Sequence, residues 1–183
     1  MPPEAHVQAR AQPALTVRAL ADSEADRGAV LRINAANRPA LAALDQAELS
    51  RLIGMGALGF VAVSEQGTVA GYLLAFAHDS GYDGEEFGHF RRLLGRTFLY
   101  VDQIAVDKHH RSRGVGRALY AVARDWAQVQ HHTRLCCEVN IDPPNPASLE
   151  WHRRLGFATI GNGDTLDGRR VSYLVRDVQA AAE

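Results

Sequence analysis

The clearest hydrophobic pattern lies between Gly114 and about Gln130, where apolar residues recur with the period of a helix. The inner face of this segment carries Leu119, Val122, Ala123 and Trp126 at i, i+3, i+4 and i+7. Segments rich in Val, Leu, Phe and Tyr extend from 59 to 64 and from 68 to 77, and Glu65-Gln66-Gly67 separates them. Two apolar runs around a polar, glycine-containing turn predict a β-hairpin.

Three shorter segments carry the start signals of helices. Asp22 or Ser23 can cap a helix that runs to about Asn34. Asp45 begins a capping-box-like sequence before apolar residues at helical spacing, and Pro146 lies in the first turn of a segment from 145 to 155. Together with the long segment, these signals predict about four helices.

Seven segments have the composition of strands: 15–19, 59–64, 68–77, 98–106, 135–139, 157–160 and 171–175. The polar, glycine-containing segment 78–95 is predicted to be a long loop, and long ordered loops tend to be functional. The order β-α-α-β-β-β-α-β-α-β-β predicts an α/β (α+β) fold, with a mixed sheet flanked by helices.

The chain has 183 residues, of which 46% are hydrophobic and 22% charged, and this composition suits one ordinary globular domain. Without a repeat or a linker, we expect a single domain from 14 to 178, with a disordered leader (1–13) and a tail (179–183). The net charge of −1 argues against nucleic acid and membrane surfaces as the main partners. We find no secretory signal and no run of about 18 apolar residues, which favours a cytoplasmic protein.

The only cysteines, Cys136 and Cys137, are adjacent. Neighbours on a strand point to opposite faces, so we do not expect a disulfide between them. A zinc site needs more ligands than this pair offers. Reduced, buried thiols and no bound metal are therefore expected.

A basic, glycine-containing segment connects the strand that ends at Val106 to the long helix. A helix N-terminus offers unpaired N–H groups and the positive end of the helix dipole, and Gly114 and Gly116 would let a phosphate approach the backbone. Lys108 and three arginines add positive charge. The nucleotide-triphosphate and dinucleotide fingerprints are not matched. The segment therefore predicts a pyrophosphate site of another kind, or else a solvated basic helix start.

Residues 104–120, IAVDKHHRSRGVGRALY, resemble the acetyl-CoA signature of the GNAT superfamily, Gln/Arg-x-x-Gly-x-Gly/Ala after an apolar strand. Residues 145–157, NPASLEWHRRLGF, resemble the later helix of that family, usually Asn-x-x-Ala/Ser-x-x-x-Tyr-x-x-x-Gly-Phe. The resemblance implies an acetyl-CoA-dependent N-acetyltransferase with a mostly antiparallel sheet of six to seven strands. It also implies that two central parallel strands, 98–106 and 134–140, splay apart around the coenzyme.

The resemblance further implies which residues hold coenzyme A. Backbone groups of Ile104, Ala105 and Val106 would pair with the pantetheine arm. The pyrophosphate would lie against Arg111, Ser112, Arg113, Gly114, Val115, Gly116 and Arg117. Asn140, Asn145 and Ser148 would bond pantetheine amides, although local capping of the following helix is an alternative for all three.

Acetyl transfer to an amine needs a base for the ammonium, a donor for the oxyanion and a proton for the thiolate. Binding both substrates side by side allows direct attack without a covalent enzyme intermediate. Where the family often has a tyrosine as general acid, this chain has His152, which could donate a proton or simply pack in the core. Asp102 is the candidate base, with a structural acid or a water chain as alternatives. Strand alternation predicts that Asp102, Tyr100 and Ile104 share one face and that Gln103 lies on the other.

The acceptor pocket is expected between the first helices and the 78–95 segment, lined by Asn34, Asn37, Tyr82, Asp83 and Phe87. An acidic segment there would favour a cationic amine on a small molecule or a peptide, while Phe87 could equally anchor the loop. Two other classes of function remain open: a catalytically silent acyl-CoA-binding sensor and a nucleotide-binding protein. A homodimer is also possible.

Overall fold

The computed structural model describes residues 15–179, so the predicted leader (1–13) and the tail beyond 179 lie outside the described residues. Its helices and strands are β1 (Thr16–Ala19), α1 (Glu24–Ala36), α2 (Gln46–Gly54), β2 (Leu58–Val63), β3 (Val69–Ala77), α3 (Glu85–Leu94), β4 (Phe98–Val106), α4 (Val115–Val129), β5 (Arg134–Asp142), α5 (Pro146–Arg154), β6 (Ala158–Asp164) and β7 (Arg170–Asp177), with a 3₁₀ turn at Lys108–His110.

The seven strands form one sheet in the order β1-β2-β3-β4-β5-β7-β6. Every neighbouring pair is antiparallel except β4 and β5, which run parallel. This arrangement confirms the predicted fold class, a mixed and mostly antiparallel sheet flanked by helices.

The two parallel strands pair only at their beginnings. Their ladder comprises three residue pairs and ends at Tyr100 and Cys136, whereas β4 continues to Val106 and β5 to Asp142. Beyond the ladder, β4 stays paired with β3 and β5 with β7. The central strands therefore diverge and leave a wedge-shaped gap within the sheet.

Helices cover both faces of the sheet, because strand side chains alternate between the two faces. α4 and α5 pack Leu119 and Leu155 into one apolar cluster. α1, α2 and α3 pack Val30, Leu49 and Phe87 into the other. We refer to these as the α4–α5 face and the α1–α3 face. The gap between β4 and β5 lies where the two clusters meet the sheet.

Polar side chains begin three of the helices in the way that the sequence suggested. Ser23 caps α1, Asp45 caps α2 and Asn145 caps α5, each accepting a hydrogen bond from the amide three residues later, at 3.2, 2.7 and 3.3 Å. Asn145 therefore holds the start of α5 in place, which is the capping alternative for this residue.

The prediction of a loop from 78 to 95 is wrong for its second half, which forms α3. Phe87 and Phe90 lie on the inner face of this helix and are buried. Their hydrophobic contacts stabilise the helix despite Gly88 at its centre and Gly84 at its start, where no side chain caps the first turn. The structure therefore has five α-helices in the described residues rather than about four.

Candidate active site

A cleft with a volume of about 880 Å³ fills the gap between the diverging strands. It is lined by the later residues of β4 and β5, the start of α4, one side of α5, the α1–α2 connection, the start of α3 and the turn between β6 and β7. Ser148 and Trp151 on the α4–α5 face and Tyr82 and Glu86 on the α1–α3 face all contribute to its wall. The cleft therefore passes through the sheet, and each of its two ends can hold a different ligand.

The start of α4 forms the basic end of the cleft. Gly114 has a φ of 79°, a conformation that favours glycine, and provides no side-chain cap for the first turn. The N–H groups of that turn therefore remain available to an anion. Arg111 and Arg117 line the wall, and Nδ1 of His110 is buried there without a hydrogen-bond partner. This end fits a phosphate-bearing group.

Gly116 also lies close to α5. A Cβ atom at this position would lie 2.6 Å from Cζ2 of Trp151, so the missing side chain makes room for the indole of α5. Of the residues predicted to hold the pyrophosphate, the following line the cleft: Arg111, Ser112, Gly114, Val115, Gly116 and Arg117. Arg113 is exposed and lies outside the lining.

The middle of the cleft contains the residues expected beside pantetheine. Ile104, Ala105 and Val106 line it from β4, and Asn140, Asn145 and Ser148 line it from the β5–α5 region. The Oδ1 atom of Asn140 accepts a hydrogen bond from Nη1 of Arg169 at 3.0 Å. Asn140 is therefore already engaged by the turn between β6 and β7.

His152 is buried in the wall of the cleft and forms hydrogen bonds at both ring nitrogens. Nδ1 lies 2.8 Å from the carbonyl oxygen of Ser148, which can only accept, so Nδ1 carries the proton. Nε2 lies 2.8 Å from the hydroxyl of Tyr120 and therefore accepts from it. Burial lowers the pKa of His152, which favours this neutral form. Tyr120 also lines the cleft.

Asp102 lies at a β-bulge, which makes the predicted alternation along β4 wrong. Gln103 pairs with Leu74 and Val101 pairs with Ala75, so Asp102 is an extra residue in the ladder. Its Oδ1 accepts a hydrogen bond from the hydroxyl of Tyr82 at 2.6 Å. Because of the bulge, Gln103 lies on the same α1–α3 face as its neighbour Asp102.

The same bulge separates Asp102 from Ile104. Gln103 Oε1 accepts hydrogen bonds from Asn34 at 3.0 Å and Tyr72 at 2.8 Å on the α1–α3 face. Ile104 packs on the α4–α5 face. Asp102 thus shares a face with Tyr100, as predicted, but Gln103 lies on that face as well and Ile104 lies on the other, so the prediction is wrong for these two residues.

A second carboxyl group, that of Glu138 on β5, lies opposite the bulge across the gap. Its Oε2 accepts a hydrogen bond from the hydroxyl of Tyr100 at 2.8 Å, and the residue lines the cleft. Burial raises the pKa of Glu138 to about 8, and the nearby charges of Glu86 and Asp102 add to this shift. Burial likewise raises the pKa of Asp102 to about 6. The acidic end of the cleft therefore holds two carboxyl groups that titrate near neutrality.

The residues predicted for the acceptor pocket are divided between the cleft and the core. Tyr82 and Asn37 line the cleft, although Asn37 lies at the basic end, where its Oδ1 accepts from Arg111 at 2.9 Å. Asn34 is buried and joins α1 to the sheet. Asp83 is exposed and paired with Arg51, and Phe87 is buried in the apolar cluster.

The sequence model of the acetyltransferase (GNAT) family matches residues 26–157. The chain belongs to the GNAT family. Members of this family use acetyl-CoA as the acyl donor, which agrees with the uncapped N–H groups and the arginines at the basic end. Among curated proteins, none matches the chain by sequence.

Solved structures share the fold at low sequence identity. The ribosomal-protein-S18-alanine N-acetyltransferase from Escherichia coli is 19% identical with a TM-score of 0.66, over 93% of this chain and 97% of that one. Ard1 from Thermoplasma volcanium is 21% identical with a TM-score of 0.69, over 89% and 97%. A chain of the NatC complex, bound to Gag peptide and CoA, is 17% identical with a TM-score of 0.66, over 89% and 98%.

The described part of the chain was also compared with the requirements of membrane-spanning helices and of metal-binding sites. Within residues 15–179, no helix has the length and apolar character needed to cross a bilayer. Over the same residues, His, Cys, Asp and Glu side chains do not converge in a group of three or more that could hold a metal ion.

Among the acids and arginines that line the cleft, Glu138, Glu86, Asp167 and Arg169 were not identified from the sequence. Glu138 carried a usable signal, because an acid within the apolar run Leu-Cys-Cys-Glu-Val is as costly to bury as Asp102 within β4. Glu86 and Arg169 carried none, because they lie in polar segments whose approach to the cleft depends on the tertiary fold.

Proposed function

We propose that this protein is an N-acetyltransferase that moves an acetyl group from acetyl-CoA to a primary amine by direct attack in a ternary complex. The observation that carries the proposal is the cleft through the sheet, with an uncapped, arginine-flanked helix N-terminus on one side and a pair of carboxyl groups on the other. Family membership supplies the donor, and the acidic end supplies the place for a cationic acceptor.

The donor would enter from the α4–α5 face. N–H groups at the start of α4, with Arg111 and Arg117, would hold its pyrophosphate. Backbone groups of Ile104, Ala105 and Val106 would pair with the pantetheine arm in the gap where β4 and β5 no longer pair with each other. The bound donor supplies an activated thioester, and the gap directs it toward the point where the strands diverge.

Asp102 and Glu138 would take the proton that the attacking ammonium must lose. At neutral pH, pKa values of about 6 and about 8 leave Asp102 mostly ionised and Glu138 mostly protonated. The pair therefore holds one negative charge, which attracts the ammonium, and one carboxylate, which can accept its proton. A bound cation would in turn favour ionisation of Glu138.

Tyr120 and His152 would serve the departing thiolate on the other side of the gap. His152 is neutral and its Nδ1–H is engaged by the Ser148 carbonyl, so in this proposal it positions the tyrosine. The hydroxyl of Tyr120 would turn its proton from Nε2 of His152 to the sulfur, so that its O–H bond breaks as the S–H bond of free coenzyme A forms, and solvent would then return a proton to the phenolate. This assignment moves the general acid from His152, predicted from the family pattern, to Tyr120.

A matched pair of glycine variants tests the donor site. Gly114→Glu places bulk and negative charge at the phosphate end, so coenzyme A binding measured by calorimetry should be lost. Gly67→Glu is the control, because Gly67 has a similar φ of 77° and open space around it but lies outside the cleft. It should bind coenzyme A like the wild type. Retained binding by Gly114→Glu would show that the donor lies elsewhere.

Thiol release from acetyl-CoA in the presence of a panel of primary amines tests turnover. Release that depends on an amine, with mass spectrometry of the acetylated product, is the expected result. Coenzyme A binding without release on any amine would refute an enzyme and leave a silent acyl-CoA sensor.

A further inference from the structure

We infer that the acceptor is a small molecule that carries a second positive charge in addition to the reacting amine, and that Glu86 on α3 recognises this charge. The inference rests on the proposed function and specifies the class of its acceptor. It comes from two observations at the acidic end of the cleft: the walls that enclose this end, and the balance of charge within them.

The first wall is the segment that leads into α3. The Tyr82 ring stacks on Phe76 with ring centroids 3.9 Å apart, and the Tyr82 hydroxyl binds Asp102. Further along, Phe87 and Phe90 are buried against Tyr100. The segment is thereby fixed to the sheet at several points, and Tyr82 and Glu86 lie in the wall of the cleft.

The second wall is the turn between β6 and β7, and it is tied to α3. The amide of Leu166 donates to Oε2 of Glu85 at 2.8 Å, and Nη2 of Arg169 donates to Oε1 of Glu86 at 2.8 Å. These two contacts join the turn to the first turn of α3 across the acceptor end. A cleft of about 880 Å³ in total, part of which coenzyme A would occupy, leaves room for a small molecule.

The charge balance of this end is negative. Arg169 is its one cation among the described lining residues, and the carboxyl groups are those of Glu86, Asp102, Glu138 and Asp167. Arg169 lies between two of them: it donates to Glu86, and its Nε donates to Asp167 at 2.7 Å. This Glu86–Arg169–Asp167 group thus keeps one unbalanced negative charge.

The reacting ammonium would balance the charge held by Asp102 and Glu138, which leaves the charge of the Glu86 group for a second cation. The negative charge of Glu86 is among the causes that raise the pKa of both Asp102 and Glu138, so its field reaches the reacting centre. A zwitterion would place its carboxylate against this negative group at an electrostatic cost. A dication would balance both negative charges, that of the Asp102–Glu138 pair and that of the Glu86–Arg169–Asp167 group.

Three amines of similar size test the charge requirement: putrescine, butylamine and γ-aminobutyrate. We expect kcat/KM for putrescine to exceed that for butylamine by about tenfold or more, the worth of a single charge-assisted contact, and γ-aminobutyrate to be the poorest of the three. Glu86→Gln keeps an oxygen that can accept from Arg169 but removes the negative charge. The ratio of kcat/KM for putrescine to that for butylamine should therefore fall to about twofold or less. Glu24→Gln, at the exposed start of α1 outside the cleft, should keep the full preference.

Equal kcat/KM values for putrescine and butylamine would overturn the inference while leaving the proposed function intact. The same holds for a full preference retained in Glu86→Gln, or for faster turnover of an alanyl tripeptide with a free N-terminus. Calorimetry provides a readout that does not depend on turnover. With coenzyme A present, putrescine should bind the wild type about tenfold more tightly than Glu86→Gln, and no such difference would refute the role of Glu86. Coenzyme A binding, measured separately, reports on the proposed function.

Discussion

A Glu138→Gln variant should lose the upper part of the pH dependence of acetyl transfer. With a pKa of about 8, the Glu138 carboxyl is roughly one-tenth ionised at pH 7 and roughly nine-tenths ionised at pH 9. If its carboxylate accepts the ammonium proton, the ratio of wild-type kcat/KM to that of the variant should rise about tenfold between these pH values. The ratio should be flat once Glu138 is fully ionised.

Asp102→Asn should produce a different profile. Because the pKa of Asp102 is about 6, the ratio of wild type to this variant should rise in the range around that value. The charge of Asp102 is one of the causes that raise the pKa of Glu138, so the variant should also move the Glu138 ionisation to lower pH. The two variants together assign each limb of the profile to one carboxyl group.

Initial rates of thiol release at low amine concentration, measured from about pH 5 to about pH 10, would give these ratios. Taking ratios removes the ionisation of the amine substrate itself, which is common to all variants. Glu24→Gln, outside the cleft, should give a ratio near one throughout. A wild-type to Glu138→Gln ratio that does not change with pH would refute a role for this carboxyl group in proton transfer.

Three further substitutions test the packing of the site and the fold. Gly116→Ala should lower the free energy of unfolding by about 1–3 kcal/mol in urea titrations, because the added Cβ would crowd Trp151; an unchanged midpoint would contradict this. His152→Phe should cost about 1–3 kcal/mol, because the Tyr120 hydroxyl would lose its acceptor, while calorimetry should show wild-type affinity for coenzyme A. The side chain of Arg18 donates hydrogen bonds to the Asp26 carboxylate and lowers the pKa of Asp26. The ionised carboxylate therefore stabilises the fold at neutral pH, and this stabilisation is lost as the pH falls through the folded-state pKa. Asp26→Asn should therefore be less stable than the wild type at neutral pH and converge with it in strong acid; an equal stability difference at both would argue against the ion pair.

Strand and helix order could be predicted from the sequence because local pattern and tertiary packing agree over most of the chain. α3 is the exception. Phe87, Phe90 and Leu94 already lie at helical spacing, but Gly84 and Gly88 are typical of loops. Burial of the two phenylalanines outweighs the glycine penalty, and the size of that burial depends on the sheet beneath.

The site could be predicted in part, and the limit was the geometry of β4. The sequence identifies Asp102 as an unusual acid in an apolar strand, but the bulge that brings Gln103 to the same face depends on the register with Leu74 and Ala75 of β3. Strict alternation therefore kept Asp102 correctly with Tyr100 but placed Gln103 and Ile104 on the wrong faces. Arg169 was even harder to predict from the sequence, because a turn residue so far along the chain reaches the start of α3 only in the folded protein.

The short ladder between β4 and β5 has a mechanical consequence. Three residue pairs are the entire backbone connection within the sheet between the half formed by β1 to β4 and the half formed by β5 to β7, in the part of the chain that the structure describes. Pulling these halves apart across the sheet would load only those pairs and the side chains around them. A single-molecule force experiment in this direction should therefore break the domain at the ladder first, and a ligand that bridges the gap should raise the rupture force.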